Sequence, residues 1–212
     1  AGSSVDLAKT TCGICTFEKL CSPLKCCGKY MCQECQQKVV NCPYCRTFWS
    51  LLTGNQPPGT MSVYLKHVSV TGYESFPTWE IEYFFPSGNQ KDNHPNPGER
   101  YTGMTRTAYL PATDQSFHVL KLLRLAFLRK LTFTIGRSLT SGRENSIVWN
   151  DIHHKTRLNG GLYGYPDPNY LQNVYEELAR KGVTFDTISP DEMRKITDFE
   201  YQISASGYFV DE

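Results

Sequence analysis

Beyond Cys45 the chain has no cysteine at all, although nine lie from Cys12 to Cys45 in a sequence of 212 residues. A secreted disulfide scaffold would have to confine its bridges to this first quarter, so the rest of the chain cannot be stapled that way. No apolar run approaches the ~20 residues needed to cross a bilayer as a helix. No charged-then-apolar leader opens the chain, and Ala1 to Ser4 read as tag remnant or linker within residues 1–8. The net charge is +1, from 22 Lys and Arg against 21 Asp and Glu, which gives no global field for nucleic acid or an anionic membrane. Internal repeats, low-complexity tracts and a Gly-x-Ser-x-Gly elbow are also missing, which removes solenoids and the common serine-hydrolase arrangement.

What is present begins with the spacing of those cysteines. Cys12/Cys15, Cys32/Cys35 and Cys42/Cys45 are C-x-x-C pairs, and Cys26 and Cys27 stand adjacent between the first two. Two intervening residues let a tight turn aim both sulfurs at one ion. Zinc takes four such ligands tetrahedrally and supplies the folding energy that a segment of ~40 residues cannot obtain from a core. Four pairs are enough for two zinc ions. Free thiols in this number point to a reducing compartment, cytoplasmic or nuclear. Cys21 competes with Cys26 and Cys27 for a ligand place; otherwise it is a spare thiol.

The run from Cys12 to Arg46, with Cys27-Gly-Lys-Tyr-Met-Cys32 at its centre, resembles a RING finger, here residues 9–52. The resemblance implies an interleaved cross-brace: Cys12, Cys15, Cys32 and Cys35 share one ion, and Cys26, Cys27, Cys42 and Cys45 share the other. Where the family usually places a ligand histidine this chain has Lys29, so the second pair resembles the all-cysteine variants. The family docks a ubiquitin-conjugating enzyme and holds its thioester-linked ubiquitin in a reactive pose. That implies a docking face at Ile14 and Pro43, and a bridging arginine, Arg46, whose fork reaches both conjugating enzyme and ubiquitin.

Phe48 to Gly59 is a Gly/Pro-rich seam, and a second region of α+β pattern follows. Met61–Val70 and Thr78–Phe85 alternate as half-buried strands; Pro86–Gly103 is dense in breakers and reads as loop. Ser116–Lys130 carries a helical apolar stripe. Leu131–Ile135 and Ser146–Trp149 read as strands around a Gly/Ser-rich turn, and Asp167 caps a helix from Pro168 to Lys181 that Gly182 ends. Ser189-Pro190-Asp191-Glu192 opens a further helix in a tail, residues 185–212, able to dock as an added element.

Several stretches resemble the Deltex C-terminal domain, expected over residues 53–184. They include His94-Pro95-Asn96-Pro97-Gly98, Thr132-Phe133-Thr134-Ile135-Gly136, Trp149-Asn150-Asp151-Ile152-His153-His154-Lys155-Thr156 and Gly164-Tyr165-Pro166-Asp167. The order is the family's, and within it the chain looks nearest the shorter, three-type members, whose setting is Notch signalling. The resemblance implies an α+β fold with a pocket for ADP-ribose or NAD at Ser138, His153 and Tyr163, and an acid, Glu177. It further implies transfer of ubiquitin to protein lysines and to a ribose hydroxyl of ADP-ribose or ADP-ribosylated substrates. A ribose hydroxyl is a poor nucleophile and needs a positioned proton acceptor, a role open to Glu177 with His153 beside it. On pattern alone, His153-His154 would pass for core polar residues and Glu176-Glu177 for a solvated helix face. Ser141-Gly142-Arg143 is a basic turn that could meet a pyrophosphate.

Overall fold

The computed structural model describes residues 7–39, 41–47 and 52–211. The chain forms two compact units, one built on Ala1–Leu52 with Ala179–Gly182, the other on Thr53–Leu178 with Val183–Glu212. The expected linker start and the Phe48–Leu51 part of the seam lie outside the described residues. Among the described residues no helix is long and apolar enough to cross a membrane.

The first unit has little regular structure. Strands β1 (Ala8–Thr11), β2 (Glu18–Pro23) and β3 (Tyr30–Cys32) form an antiparallel sheet in that order, followed by the short helix α1 (Gln33–Gln37). Among the described residues its buried cluster is made mostly of cysteine sulfur, with Leu24 and Met31 as conventional apolar members and Val39 packed against them. So small a core cannot offset the conformational entropy of the segment, which leaves the folding energy to metal.

The second unit is built on a four-stranded antiparallel sheet, β11-β4-β5-β8, from β4 (Thr60–Lys66), β5 (Thr78–Phe85), β8 (Met104–Pro111) and β11 (Tyr208–Phe209). β5 has the expected bounds, and its Ile81, Tyr83 and Phe85 are fully buried on one face. β4 stops at Lys66, short of Val70. β8 is a strand that the sequence pattern does not announce, because its apolar residues cluster at one end instead of alternating. The breaker-rich stretch holds a minimal pair, β6 (Gly88–Asn89) with β7 (Arg100–Tyr101). The main helix, α2 (Asp114–Leu128), starts two residues early because Thr113 caps it, accepting from Ser116 N–H at 3.2 Å, a bond worth ~1 kcal/mol.

A second, two-stranded sheet pairs β9 (Phe133–Gly136) with β10 (Ser146–Trp149), so that Phe133 faces Trp149. Helix α3 (Tyr170–Arg180) buries Tyr170, Leu171, Val174 and Leu178. It begins later than expected, because Asp167 holds a turn through Asn169 before the helix starts. Gly182, in the left-handed region at φ 72°, ends it. Helix α4 (Pro190–Ser206) has the expected start, capped by Ser189 and Glu192 reciprocally.

The tail is an integral part of this unit. β11 adds an edge strand to β4. Arg124 makes a bidentate pair with Asp211 at 2.8 and 3.0 Å and lies over the Phe209 ring. Arg129 clamps Glu192 and the carbonyl of Thr187, and its guanidinium holds the Glu192 carboxyl down at about 2.

Candidate functional site

The first unit repeats one turn three times. Cys12 N–H donates to Phe17 O and Thr16 N–H to Cys12 O; Cys42 and Arg46 donate equivalently to Thr47 and Cys42. Leu24 and Gly28 do the same with Lys29 and Leu24. Thr16, Gly28 and Arg46 all take left-handed φ values, 64°, 70° and 65°. In the middle copy Leu24 occupies the place of the first cysteine. Its side chain is buried, and the sulfur it lacks is replaced by Cys26, one residue before Cys27. That substitution explains why the second pair is adjacent and not spaced by two.

The sulfurs converge into two groups, Cys12/Cys15/Cys32/Cys35 and Cys26/Cys27/Cys42/Cys45, each with its four atoms within 4.8 Å of one another. Thiolates bound to zinc at about 2.3 Å lie about 3.8 Å apart along the edges of the tetrahedron. Cys15 and Cys32 sulfurs are 3.9 Å apart, and Cys27 and Cys42 sulfurs 3.7 Å. Both groups therefore fit zinc, in the interleaved order of a cross-brace. Cys21 belongs to neither: its buried thiol donates to Thr10 O at 3.6 Å, and burial, with the charge of Cys12, Cys32 and Cys15 added, pushes its pKa up. Cys21→Ser is expected to retain two zinc ions per chain, whereas Cys26→Ser or Cys27→Ser retains one firmly; native mass spectrometry reads the difference.

Ile14 is 41 % exposed, Pro43 half-buried and Arg46 exposed. The first and last loops are joined by Tyr44, a residue the sequence reading passed over. A Cβ on Gly13 would lie 2.3 Å from the Tyr44 hydroxyl, so the ring sits where a larger residue would displace it. The contact holds Ile14, beside Gly13, and Pro43, beside Tyr44, on loops packed against one another.

In the second unit a cleft of about 940 Å3 opens, at the upper end of ordinary small-molecule sites. Ser138, His153, Tyr163 and Glu177 all line it, although they come from four separate segments. Ser138 sits at the neck of the turn after β9, where its hydroxyl accepts from Ser141 N–H at 3.2 Å. His153 follows β10. Tyr163 stands on the Arg157–Gly164 loop, 54 % exposed, its ring edge-on to His153 at 5.9 Å. Glu177 reaches from the edge of the buried α3 stripe, and its Oε2 accepts from the backbone N–H of His153 at 2.8 Å. Among the described residues the buried His153 Nε2 has no hydrogen-bond partner. An unsatisfied buried nitrogen on the segment that the Glu177 carboxylate holds is a feature of functional sites.

The tandem histidines divide the two roles. His154 is 4 % exposed; its Nδ1 lies 2.8 Å from Ile152 O, so Nδ1 carries the proton and Nε2 accepts from the Tyr83 hydroxyl at 2.8 Å. Trp149 stacks on it at 4.5 Å and on Phe133 at 4.4 Å, forming an aromatic floor. Burial pushes the His154 pKa down to about 4. Since the unfolded chain takes up this proton near pH 6.5 and the folded chain does not until about 4, stability from this group is complete above pH 6.5. It is lost as pH falls toward 4, by ~3 kcal/mol in all. His154→Gln is expected to flatten the stability–pH curve in that window, measured by denaturant unfolding.

Arg106, Arg137 and Asp151 also line the cleft and were not expected there. Arg143, expected to meet a pyrophosphate, is not among the lining residues; its turn presents Arg137 instead. Asp151 has a left-handed φ of 61°. Non-glycine residues so held are common in sites, and short polar ones are tolerated there.

A RING-like pair of four-cysteine metal groups in one unit, with an α+β unit carrying a nucleotide-sized cleft in the other, defines a class of two-module zinc protein. Residues 53–183 match the family model of the Deltex C-terminal domain. The chain belongs to the Deltex family. It is 46 % identical over 187 residues to the probable E3 ubiquitin-protein ligase DTX3 of Mus musculus and equally to that of Homo sapiens, a match covering 84 % of this chain and 54 % of each relative. It is 47 % identical over 148 residues to the E3 ubiquitin-protein ligase DTX1 of Xenopus laevis, covering 68 % of this chain and 24 % of that one. The chain thus spans about half the length of the DTX3 relatives and less of DTX1. The family match stops at residue 183, while the fold of the second unit runs on to Asp211.

Proposed function

We propose that this chain is a RING-type ubiquitin transferase whose second unit binds ADP-ribose or NAD and offers a ribose hydroxyl as an acceptor for ubiquitin. The observation that carries the reading is the convergence of Ser138, His153, Tyr163 and Glu177 on one cleft, with the Glu177 carboxylate bound to the His153 backbone N–H. The printed ligase names of the relatives support the transferase half.

In this reading zinc holds the first unit in shape and takes no part in the transfer. Ile14 and Pro43 dock the ubiquitin-loaded conjugating enzyme. Arg46, exposed and fixed at a left-handed backbone position, donates to both conjugating enzyme and ubiquitin, raising the effective concentration of the reactive thioester pose. In the cleft the Trp149 floor and the Tyr163 ring present flat faces to the nucleotide or nicotinamide, and Arg106 and Arg137 face its phosphates. His153 and Glu177 take the proton from a ribose hydroxyl as its oxygen attacks the ubiquitin carbonyl. The new C–O bond replaces the C–S bond, and the conjugating enzyme leaves as thiolate. Without nucleotide, a lysine amine on a protein takes the acceptor's place. ADP-ribosylated substrates are then the natural partners, in the cytoplasm or nucleus.

The test mixes the chain with activating enzyme, conjugating enzyme, ubiquitin and ADP-ribose, and weighs the ubiquitin. An adduct one ADP-ribose heavier, less water, is expected. Arg46→Ala should reduce both that adduct and lysine-linked chains by about tenfold or more, the scale of a lost charge-assisted contact. Lysine-linked chains without any adduct would leave a conventional ligase with a recruiting pocket.

A further inference from the structure

Lys155 carries the most deeply buried ammonium in the ion pairs of the second unit, its side chain 1 % exposed. A cation so placed is costly unless each of its donors is used. Its Nζ donates to Asp167 Oδ2 at 2.8 Å and to the backbone carbonyl of Leu162 at 2.9 Å, and it lies 5.1 Å from the centre of the Tyr170 ring. Of these partners Leu162 lines the cleft, while Asp167 and Tyr170 lie outside its lining. Leu162 immediately precedes Tyr163. Asp167 and Tyr170 lead into α3, which carries Glu177 two helical turns further on. Lys155 itself is two residues from His153, whose carbonyl accepts from the Tyr170 hydroxyl at 2.9 Å, and its own carbonyl accepts from Tyr109 N–H on β8.

Within the loop Arg157 N–H donates to Tyr163 O and Gly160 N–H to Tyr165 O, and side chains tie it to its surroundings. Gly160 and Gly161 are both left-handed, at φ 78° and 69°. Leu162 and Tyr163 are 70 % and 54 % exposed, so little apolar burial fixes them. At its far end the loop is held by Asn159, which accepts from Thr71 N–H and hydroxyl at 2.8 and 2.6 Å. On the cleft side the Leu162 carbonyl is bound by Lys155.

We propose that Lys155 is a positioning residue of the cleft: its buried ammonium binds the Tyr163 loop and the entry to α3 to the His153 segment, setting where Tyr163 and Glu177 stand relative to His153. A purely apolar residue could fill the same volume but could not hold the Leu162 carbonyl. Arginine, longer and planar, does not fit the same geometry. The consequence for nucleotide binding rests on the reading of the cleft given above; the tie itself does not.

The experiment uses the full zinc-loaded chain with Lys155→Met and Asp167→Met together. Exchanging both members leaves no buried charge unpaired, and the lost Asp167 acceptor for Asn169 N–H costs ~1 kcal/mol, so the second unit should melt within a few degrees of the wild type. Amide hydrogen exchange over residues 158–164 is expected to rise about tenfold or more as local opening becomes easier. ADP-ribose affinity, by calorimetry, should fall about tenfold through lost preorganisation, while lysine-linked ubiquitin chains form at the wild-type rate.

A folded double variant with a wild-type loop would reduce Lys155 to an ordinary ion pair and overturn the proposal. So would a loosened loop with unchanged ADP-ribose affinity. Lys155→Gln, an atom shorter and uncharged, covers the case of a double variant that does not fold, and normal loop protection there overturns the tie as well. A wild-type chain that binds no ADP-ribose would sink the nucleotide reading instead, with loop exchange still deciding the role of Lys155.

Discussion

Glu177→Ala is expected to lower ubiquitin transfer to ADP-ribose by about a hundredfold or more, the usual range for a lost proton acceptor, with lysine-linked chain formation within twofold or so of the wild type. The asymmetry follows from where the residue stands. Its Oε2 is bound to the His153 amide, so the carboxylate is held at one place on the cleft wall. A lysine amine on a protein needs no help from that wall, because it is a stronger nucleophile than a ribose hydroxyl and is not held in the cleft. Glu177→Gln separates placement from basicity. The amide oxygen can still accept from His153 N–H, which keeps the local structure, but it cannot take a proton. Loss in both variants identifies the proton acceptor. Loss in alanine alone would mean that Glu177 only supports the His153 backbone. Mass spectrometry of ubiquitin and gel analysis of lysine-linked chains, run in parallel, read the two activities.

Zinc removal should have the second large effect. With a strong chelator, or with Cys12→Ser, both kinds of transfer are expected to disappear, because among the described residues the first unit buries little beside its cysteines but Leu24 and Met31. Structural zinc supplies about 10–16 kcal/mol of apparent binding energy to modules of this type, far more than so small a core. The second unit should keep its unfolding transition, since its own core includes Ile81, Tyr83, Phe85, Leu120 and Phe133. ADP-ribose binding should therefore survive chelation while all ligase activity is lost. Calorimetric melting with and without chelator would show one transition vanish and one remain. A single transition lost as a whole would mean that the two units do not fold independently.

Some elements were legible because their signal is local. β5 alternates cleanly and has the bounds its pattern implies. The start of α4 lies beside Ser189, which caps by reaching its own neighbours, whereas the Thr113 cap that starts α2 two residues before Ser116 was missed. β8 was hidden because Met104–Pro111 buries its apolar end against the rest of the sheet, a demand set by neighbours and not by its own period. The tail was readable as a helix but not as a sheet edge: two residues, Tyr208 and Phe209, carry no strand pattern, and Arg124 supplies the partner for Asp211 from 87 residues away.

The site divides in the same way. Spacing of cysteine along the chain determined the metal chemistry, because a chelating turn is a local object and two intervening residues bring sulfurs together whatever surrounds them. Only the tertiary structure chose Cys26 with Cys27 over Cys21: all three are thiols, and what separates a ligand from a spare is whether its sulfur converges with three others. Family-like motifs picked out Ser138, His153, Tyr163 and Glu177 one at a time. That they face one cleft, that His154 is floor and not wall, and that Arg106 and Arg137 belong with them was decided by packing. Side chains distant in sequence meet only where burial of Tyr83, Trp149 and Tyr170 brings their segments together.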